Sequence, residues 1–382
     1  MTEDKSLWDT FQKLATIIEQ DSTDNTFKYA LLRATSEVCQ DYKHLLKVQE
    51  DLVEVPIGLI VEKWVLYYWP LFEYKPLIPQ MPERYHGEKR LQLQFRKQLD
   101  EIIQYYQKGN GVSEFYNDYI NDKIPLEIDR KLLSLLKKIR YLIQRYPMKH
   151  LGYSVYKDHY QVYKPNLPLP QPRETVTRKL LVEEFGSFTI NRDYYEAFNK
   201  LGGYIIGDQS IFTQWAKLTE KFTNKEPGFG EIQGLLMMQP ITQRQVEKVK
   251  NMYTDKISTS TINCVWSGKP INETSDLNID HMLPFSKLRN NDLWNLVPSK
   301  TDVNGRKSDR IPSTKLLKKR KPAIINHWMK LMERYPTQFT SEAKYSLIGY
   351  GAESEDLDNL FTALTCKTEY LVNERHYREW NG

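Results

Sequence analysis

Four polar residues in the C-terminal half of the chain have types and spacing that could activate a water molecule. Asp280 and His281 are adjacent, Asn295 follows His281 by fourteen residues, and Asn304 lies in a basic segment. A histidine near its ordinary pKa can take a proton from water. Carboxylate and amide oxygens are hard ligands that suit Mg²⁺. Hydrolysis assisted by a divalent cation is therefore the chemistry that these residue types would support.

The surrounding sequence predicts two strands and a short helix that could bring these residues together. Residues 277–283 read LNIDHML, and an extended chain would point Asp280 and His281 to opposite faces unless its end is distorted near Pro284. Residues 294–297 can return as a second strand. Ser299 and Asp302 form a capping-box pattern, which predicts a helix from about Lys300 with Asn304 one turn into it.

The segment 264–313 resembles the HNH, or ββα-metal, nuclease motif. The resemblance rests on DH, then WNLVP, then N-x-x-K-S-D-x-x-P, and covers about 50 of the 382 residues. The segment is similar to the HNH domains of RNA-guided CRISPR effector nucleases and of bacterial restriction and defence nucleases. It indicates no family for the N-terminal two-thirds of the chain.

The resemblance implies a role for each polar residue. His281 would be the general base, and Asn295 would hold the His281 loop in place. Asp280 and Asn304 would bind a single Mg²⁺ or Mn²⁺ ion. Lys307 would either contact the phosphate or support the helix.

The chain departs from many HNH proteins in its cysteines. Those proteins carry two CxxC knuckles that bind a structural zinc, whereas Cys264-Val265-Trp266-Ser267 supplies one cysteine and no second pair follows. One cysteine cannot form a tetrahedral zinc site. We therefore expect no structural zinc and interpret Cys264 as a packed thiol.

Positive charge is concentrated around the end of this motif. The whole chain has a formal net charge of +5, while residues 305–321 contain eight Lys or Arg against Asp309 alone. Such a patch indicates contact with nucleic-acid phosphates. The residues that we expect to contact DNA are Lys300, Arg306, Lys307, Arg310, Lys318 and Lys319. A second basic face, over residues 128–146, could also follow phosphates, although such faces are usually only solvated.

The rest of the chain has mainly helical periodicity. Apolar spacing predicts helices over 7–19, 27–48, 56–69, 88–106 and 128–146. Four prolines, beginning with Pro70, should interrupt regular structure after the third helix. Trp64, Tyr67 and Tyr68 lie one turn apart on that helix, which favours core packing over the stacking of bases.

The middle and C-terminal regions predict a mixture of elements. Short strands are expected over 180–185 and 188–190, then two helices divided at Gly202-Gly203. A further helix should cover 314–335, with a possible interruption at Pro322. We predict a mostly α (α+β) fold in which a helical N-terminal region precedes the ββα-metal module. The expected domains are 1–150 for recognition or partner binding, a middle α+β segment over 151–230, and a nuclease domain with C-terminal helices over 231–382.

Cysteine usage and hydropathy indicate a cytoplasmic protein. Cys39, Cys264 and Cys366 are odd in number and far apart, which argues against a disulfide framework. The N-terminus lacks the features of a signal peptide. The most apolar stretch, 57–72, contains Glu62 and Lys63 and is too short to cross a bilayer.

The leading hypothesis is a metal-dependent DNA endonuclease in bacterial restriction or anti-phage defence, a setting that rests on the resemblance alone. The alternative is a partner-dependent nuclease or nucleic-acid-binding subunit of a defence complex, suggested by the nearly neutral, aromatic-rich N-terminal region. RNA ranks lowest as a substrate because no RNA-binding module is recognisable. One HNH site cuts one strand, so a double-strand break would need a homodimer or two successive nicks.

Overall fold

The computed structural model describes residues 2–86, 89–206, 211–223, 225–240, 246–257, 261–349 and 356–382. The chain divides into two compact units, Met1–Ile241 and Thr242–Gly382. The predicted mostly helical fold is confirmed, because helices dominate both units and the sheets are small. None of the described helices combines the length and apolar character needed to cross a bilayer. All three cysteines are free thiols.

The first unit consists mainly of helices. They are α1 (Thr2–Gln20), α2 (Phe27–Asp41), α3 (Ile57–Glu73), α4 (Arg96–Tyr106), α5 (Val112–Ile120), α6 (Leu126–Arg145), α7 (Pro147–His150), α8 (Tyr153–Tyr156), α9 (Arg192–Ile206), α10 (Ile211–Phe222) and α11 (Phe229–Met237). The strands are β1 (Lys47–Val48), β2 (Leu52–Pro56), β3 (Tyr85–His86), β4 (Lys89–Arg90), β5 (Lys164–Pro165) and β6 (Ser187–Asn191). A 3₁₀ turn covers Lys43–Leu45 and a π-helix covers Leu180–Glu184.

An antiparallel sheet joins distant parts of this unit in the order β1-β2-β6-β5. Strand β2 pairs with β6 from Leu52↔Asn191 to Pro56↔Ser187, and β5 pairs with the other edge of β6. Residues 151–230, which we expected to form a middle segment, therefore share one compact unit with residues 1–150.

Helix α3 forms the centre of the core because it is apolar on nearly every side. It contacts α2, α4, α6, α11 and the π-helix. Trp64, Tyr67 and Tyr68 are buried there, so the predicted core packing is confirmed. The neighbouring Trp69 is also fully buried and stacks on Phe115 of α5, with ring centroids 4.9 Å apart.

Several predicted boundaries in this unit are wrong. Helix α3 continues through Pro70 to Glu73, since the fixed φ of proline is itself helical and only one backbone donor is lost. Helix α2 ends at Asp41 because the chain soon becomes extended to pair β1 with β2. The strand predicted over 180–185 is the π-helix, whereas the strand predicted over 188–190 is confirmed within β6.

Two further helix predictions also need correction. The helix predicted over 88–106 begins only at Arg96, and the short β3–β4 hairpin precedes it; Glu88 lies outside the described residues. Helix α9 runs through Gly202-Gly203 to Ile206 instead of dividing there.

The second unit combines helices with short strand pairs. Its helices are α12 (Val246–Ile257), α13 (Phe285–Leu288), α14 (Thr301–Lys307), α15 (Thr314–Arg334), α16 (Pro336–Ala343) and α17 (Leu357–Asn373). Its strands are β7 (Ile262–Asn263), β8 (Pro270–Ile271), β9 (Leu277–His281), β10 (Leu296–Lys300), β11 (Ile311–Pro312) and β12 (Glu379–Trp380). A 3₁₀ turn covers Leu293–Asn295 and a π-helix covers Lys344–Ile348.

Strands β9 and β10 form an antiparallel hairpin, and α14 packs against both of them. The register runs from Leu296↔His281 to Lys300↔Leu277. The second strand starts later than predicted because the chain first makes the 3₁₀ turn that ends at Asn295. Ser299 lies inside β10, so the predicted capping box is wrong; Lys300 occupies the N-cap position without a side-chain cap.

Helix α15 supports the hairpin from behind, and its predicted span is confirmed without an interruption at Pro322. Ser313 caps its start by accepting a hydrogen bond from the Leu316 amide at 3.1 Å. The Trp328 indole donates to the carbonyl of Trp294 at 2.8 Å. These contacts fix the base of the hairpin to a long helix.

The C-terminal segment returns to the hairpin. Strand β12 pairs in parallel with β11, matching Pro312 with Trp380. The Trp380 ring meets the Trp266 ring edge to face, with centroids 5.6 Å apart. Trp266 therefore rests on a residue that lies far from it in sequence.

Candidate active site

Asp280 lies at the end of β9 with its carboxylate held from two sides. The Trp266 indole donates to Oδ2 at 2.6 Å, and the Lys307 ammonium lies 3.2 Å from Oδ1. The side chain is buried, as the alternation of β9 requires for a residue that faces α14. The carboxylate is thus fixed before any ligand binds.

Lys307 is wholly buried and ties α14 to β9. Its Nζ also donates to the carbonyl of His281 at 2.6 Å. Burial raises the pKa of Asp280 and lowers the pKa of Lys307, and the attraction between the two charges opposes both shifts. Of the two roles predicted for Lys307, this position favours support of the helix over contact with a phosphate.

His281 is half-buried at the last position of β9, and its ring faces the loop that follows. Nε2 lies 2.8 Å from Oδ1 of Asn291. An amide oxygen only accepts hydrogen bonds, so Nε2 carries the proton and the lone pair of the neutral ring is on Nδ1. The contact therefore selects the tautomer in which Nδ1 is the basic nitrogen.

Asn295 is fully buried and holds the loop closed with its side-chain amide. Its oxygen accepts from the Leu283 amide at 2.7 Å, and its nitrogen donates to the carbonyls of Leu283 (2.9 Å) and Asn290 (3.2 Å). Asn295 lies just before β10 and not within it. Its contacts join the two ends of the loop that carries Asn291.

Asn304 lies one turn before Lys307 on α14, so both side chains project from the same side of the helix. Lys307 reaches Asp280 directly, and this side of α14 therefore faces β9. The half-buried Asn304 side chain makes no hydrogen bond to any residue within the described ranges.

The donor atoms of Asp280 and Asn304 fit a hard divalent cation. The two oxygens of Asp280 offer about four lone pairs, of which Trp266 and Lys307 use two. The amide of Asn304 supplies a further oxygen, and Mg²⁺ ordinarily keeps several waters beside one or two protein ligands. Within the described part of the chain no three His, Cys, Asp or Glu side chains cluster as a metal site.

Cys264 is a buried thiol, as predicted. Its Sγ accepts from the Ser267 amide at 3.4 Å and lies 3.7 Å from the Ser299 hydroxyl. The turn that it begins also pairs with β10, because the Val265 amide donates to the carbonyl of Pro298 at 2.9 Å. This turn delivers Trp266 to Asp280.

The six basic residues predicted to contact DNA have different surroundings. Lys307 is internal, Lys300 is in an ion pair with Asp276, and the exposed Arg306 lies 3.4 Å from Asp302. Arg310 donates to the backbone carbonyls of Lys307 and Arg306. Two of the six are exposed lysines on the first turns of α15, Lys318 and Lys319.

Two residues at the site were not predicted from the sequence. Trp266 binds Asp280, and Asn291 binds His281, but neither has a periodicity or spacing that marks it. The buried NH of a tryptophan needs an acceptor, which is the only general signal that could have suggested Trp266.

Comparison with known families agrees with the geometry. Residues 264–313 match the family described as HNH endonuclease, which confirms the predicted resemblance over the same segment and identifies nuclease chemistry in the second unit. Residues 8–235, more than half of the chain, match the family described as domain of unknown function (DUF8808). The chain thus belongs to the DUF8808 family and carries an HNH endonuclease domain near its C-terminus.

Proposed function

We propose that this protein is a metal-dependent endonuclease that hydrolyses DNA phosphodiester bonds in restriction or anti-phage defence. The observation that carries the proposal is the pairing of His281 with Asn291 next to the fixed carboxylate of Asp280. The defence setting and a cytoplasmic location rest on the similarity of the motif to defence nucleases and on the cysteine usage.

In this proposal His281 is the general base. Nδ1 accepts a proton from water, whose oxygen attacks phosphorus while the bond to the leaving oxygen breaks. Asn291 and the Lys307 contact to the His281 carbonyl keep the imidazole in place during this transfer. Asn295 acts at one remove by holding the loop that contains Asn291.

Asp280 and Asn304 would hold Mg²⁺ or Mn²⁺ through one carboxylate and one amide oxygen. A divalent cation there would stabilise negative charge on the phosphate and on the leaving oxygen. Trp266 and Lys307 orient the carboxylate for this role from the side away from the ion.

The test is incubation of supercoiled plasmid with the wild type and with His281→Ala in Mg²⁺, Mn²⁺ or EDTA. We expect metal-dependent nicking by the wild type and a loss of about 10²–10⁴-fold in His281→Ala, the usual contribution of a general base. His376→Asn, at an exposed histidine of the same unit, is the matched control and should cut normally. Equal cutting by His281→Ala, or cutting in EDTA, would contradict the assignment.

A second candidate function is a nuclease subunit that needs a partner to engage DNA. The paired or buried state of Lys300, Arg306 and Lys307 favours it, because few cations near the site remain available for phosphates. Efficient plasmid cutting by the isolated chain would exclude partner dependence. Comparison of matched DNA and RNA strands in the same assay would test RNA, the substrate that we rank lowest.

A further inference from the structure

Ionisable side chains converge in the first unit where α2, α3, α5 and the segment before the π-helix meet. We call them the Arg178 cluster. Its members are Glu37, Tyr42, Glu62, Lys63, Tyr116, Tyr119 and Arg178. Tyr42 is at its centre, with Lys63 Nζ 5.5 Å and the Arg178 guanidinium 5.3 Å from the ring centroid.

The charges in the cluster leave one cation uncompensated. Glu37 receives both Lys63, at 2.8 Å, and Arg33, at 2.9 Å. Burial alone would raise the pKa of Glu37, but Lys63 and Arg33 outweigh burial and lower it to about 2. The Glu62 carboxylate accepts from the Tyr119 hydroxyl at 3.1 Å.

Arg178 has no ion-pair partner within 4.0 Å in the described part of the chain, and its buried Nε has no hydrogen-bond partner there. A buried guanidinium donor left unsatisfied costs free energy. Tyr42 and Tyr116 add two half-buried hydroxyls that likewise make no hydrogen bond to a described residue. Burial raises the pKa of Tyr116, so its hydroxyl stays protonated and can donate.

The backbone around Arg178 is fixed by tight packing. A Cβ at Gly58 of α3 would lie 2.0 Å from the carbonyl oxygen of Leu181, so only glycine allows this close approach to the π-helix. Two residues before Arg178, the Val176 amide donates to the Asp129 carboxylate at 2.8 Å. The guanidinium is therefore held where it is by its own segment, and no anionic side chain compensates it.

We propose that the Arg178 cluster binds the phosphate group of a small ligand. A phosphate offers at least three acceptor oxygens, which match the donors of Arg178, Tyr42 and Tyr116, whereas a carboxylate offers two. The site is recessed, since the side chain of Lys63 is 14% exposed and Tyr119 is 3% exposed. A recessed site suits a small phosphate compound better than the convex backbone of duplex DNA.

The experiment measures the thermal unfolding of the full chain in inorganic phosphate or pyrophosphate, against sodium chloride of equal ionic strength. We expect a saturable rise in the unfolding midpoint of the wild type and at least tenfold weaker binding in Arg178→Met. Arg173→Met, at an exposed arginine of the same segment, is the matched control and should bind like the wild type. Tyr116→Phe removes one hydroxyl while keeping the ring, and should weaken binding severalfold.

Each other result would overturn the inference. No saturable shift in the wild type excludes the site, and an equal shift in Arg178→Met places the anion elsewhere. If Arg178→Met does not fold, unchanged binding by Tyr116→Phe has the same meaning. A labelled DNA duplex is titrated in parallel, and an equal loss of its affinity in Arg178→Met would assign the phosphate to DNA. None of these readouts depends on nuclease activity.

Discussion

The hydrogen bond between His281 and Asn291 decides which nitrogen of the imidazole can accept a proton. Asn291 is buried and presents its side-chain oxygen to Nε2 at 2.8 Å. Without that acceptor the ring could adopt the other tautomer, whose basic nitrogen faces the loop. Asn291 is therefore a positioning residue for the proposed general base.

Replacing Asn291 separates this role from simple support of the loop. Asn291→Leu should lower kcat on a DNA oligonucleotide about 100-fold with little change in KM, because binding of DNA does not use the imidazole. Asn291→Asp keeps an acceptor oxygen and should retain most of the activity. Steady-state kinetics of the two variants provide the test, and equal losses in both would reduce Asn291 to a structural role.

Lys307 makes a second prediction at this scale, concerning stability. Lys307→Met leaves the buried Asp280 carboxylate and the His281 carbonyl without their donor, which should cost roughly 3–5 kcal/mol. Lys318→Met, at an exposed lysine, should change stability by less than about 0.5 kcal/mol. Urea unfolding followed by tryptophan fluorescence would measure both. A neutral effect of Lys307→Met would show that the pair adds nothing to folding.

Single residues were predictable where a motif fixes both type and spacing. Asp280, His281, Asn295 and Asn304 follow from DH, WNL and N-x-x-K. The roles implied for them remain proposals. Trp266 and Asn291 were not predictable, because their contacts depend on how a turn and a loop fold back onto β9.

At the level of elements, His327 joins α15 to both α12 and β10. Its Nε2 donates to the carbonyl of Leu296 at 2.5 Å, and its Nδ1 accepts from the Tyr253 hydroxyl. Burial lowers the pKa of His327 to about 4. The neutral ring is thus part of the structure that supports the hairpin.

The depressed pKa predicts that the second unit loses stability in mild acid. An unfolded histidine protonates near pH 6.5, so the contribution of His327 is fully present above that pH and is lost as the pH falls toward 4. The loss over this window should reach up to about 3 kcal/mol. His327→Gln should be less stable at pH 7 but should show a flatter profile. Unfolding midpoints between pH 7 and 5 would reveal this, and parallel profiles would disprove it.

Elements were predictable where periodicity is long and local rules agree. Helix α15 and the core face of α3 follow from apolar spacing. The π-helix at Leu180–Glu184 was mistaken for a strand because a short apolar run fits either. The end of α2 depends on β1 pairing with β2, which local spacing does not contain.

For the whole molecule, a single HNH domain predicts the order of DNA products. One such site in the chain cuts one strand at a time, so nicked circles should accumulate before linear plasmid appears. A time course on an agarose gel tests this order. Linear DNA without a nicked intermediate would mean that two copies of the chain act together.

The pairing of β12 with β11 has a consequence for control of the enzyme. Trp380 packs on Trp266, which donates to Asp280, although Trp380 lies about one hundred residues further along the chain. A protease that cut within residues 374–378 would release this strand and its tryptophan. Such a cut would inactivate the nuclease while leaving every proposed ligand and base chemically intact, so limited proteolysis could act on it as an off switch.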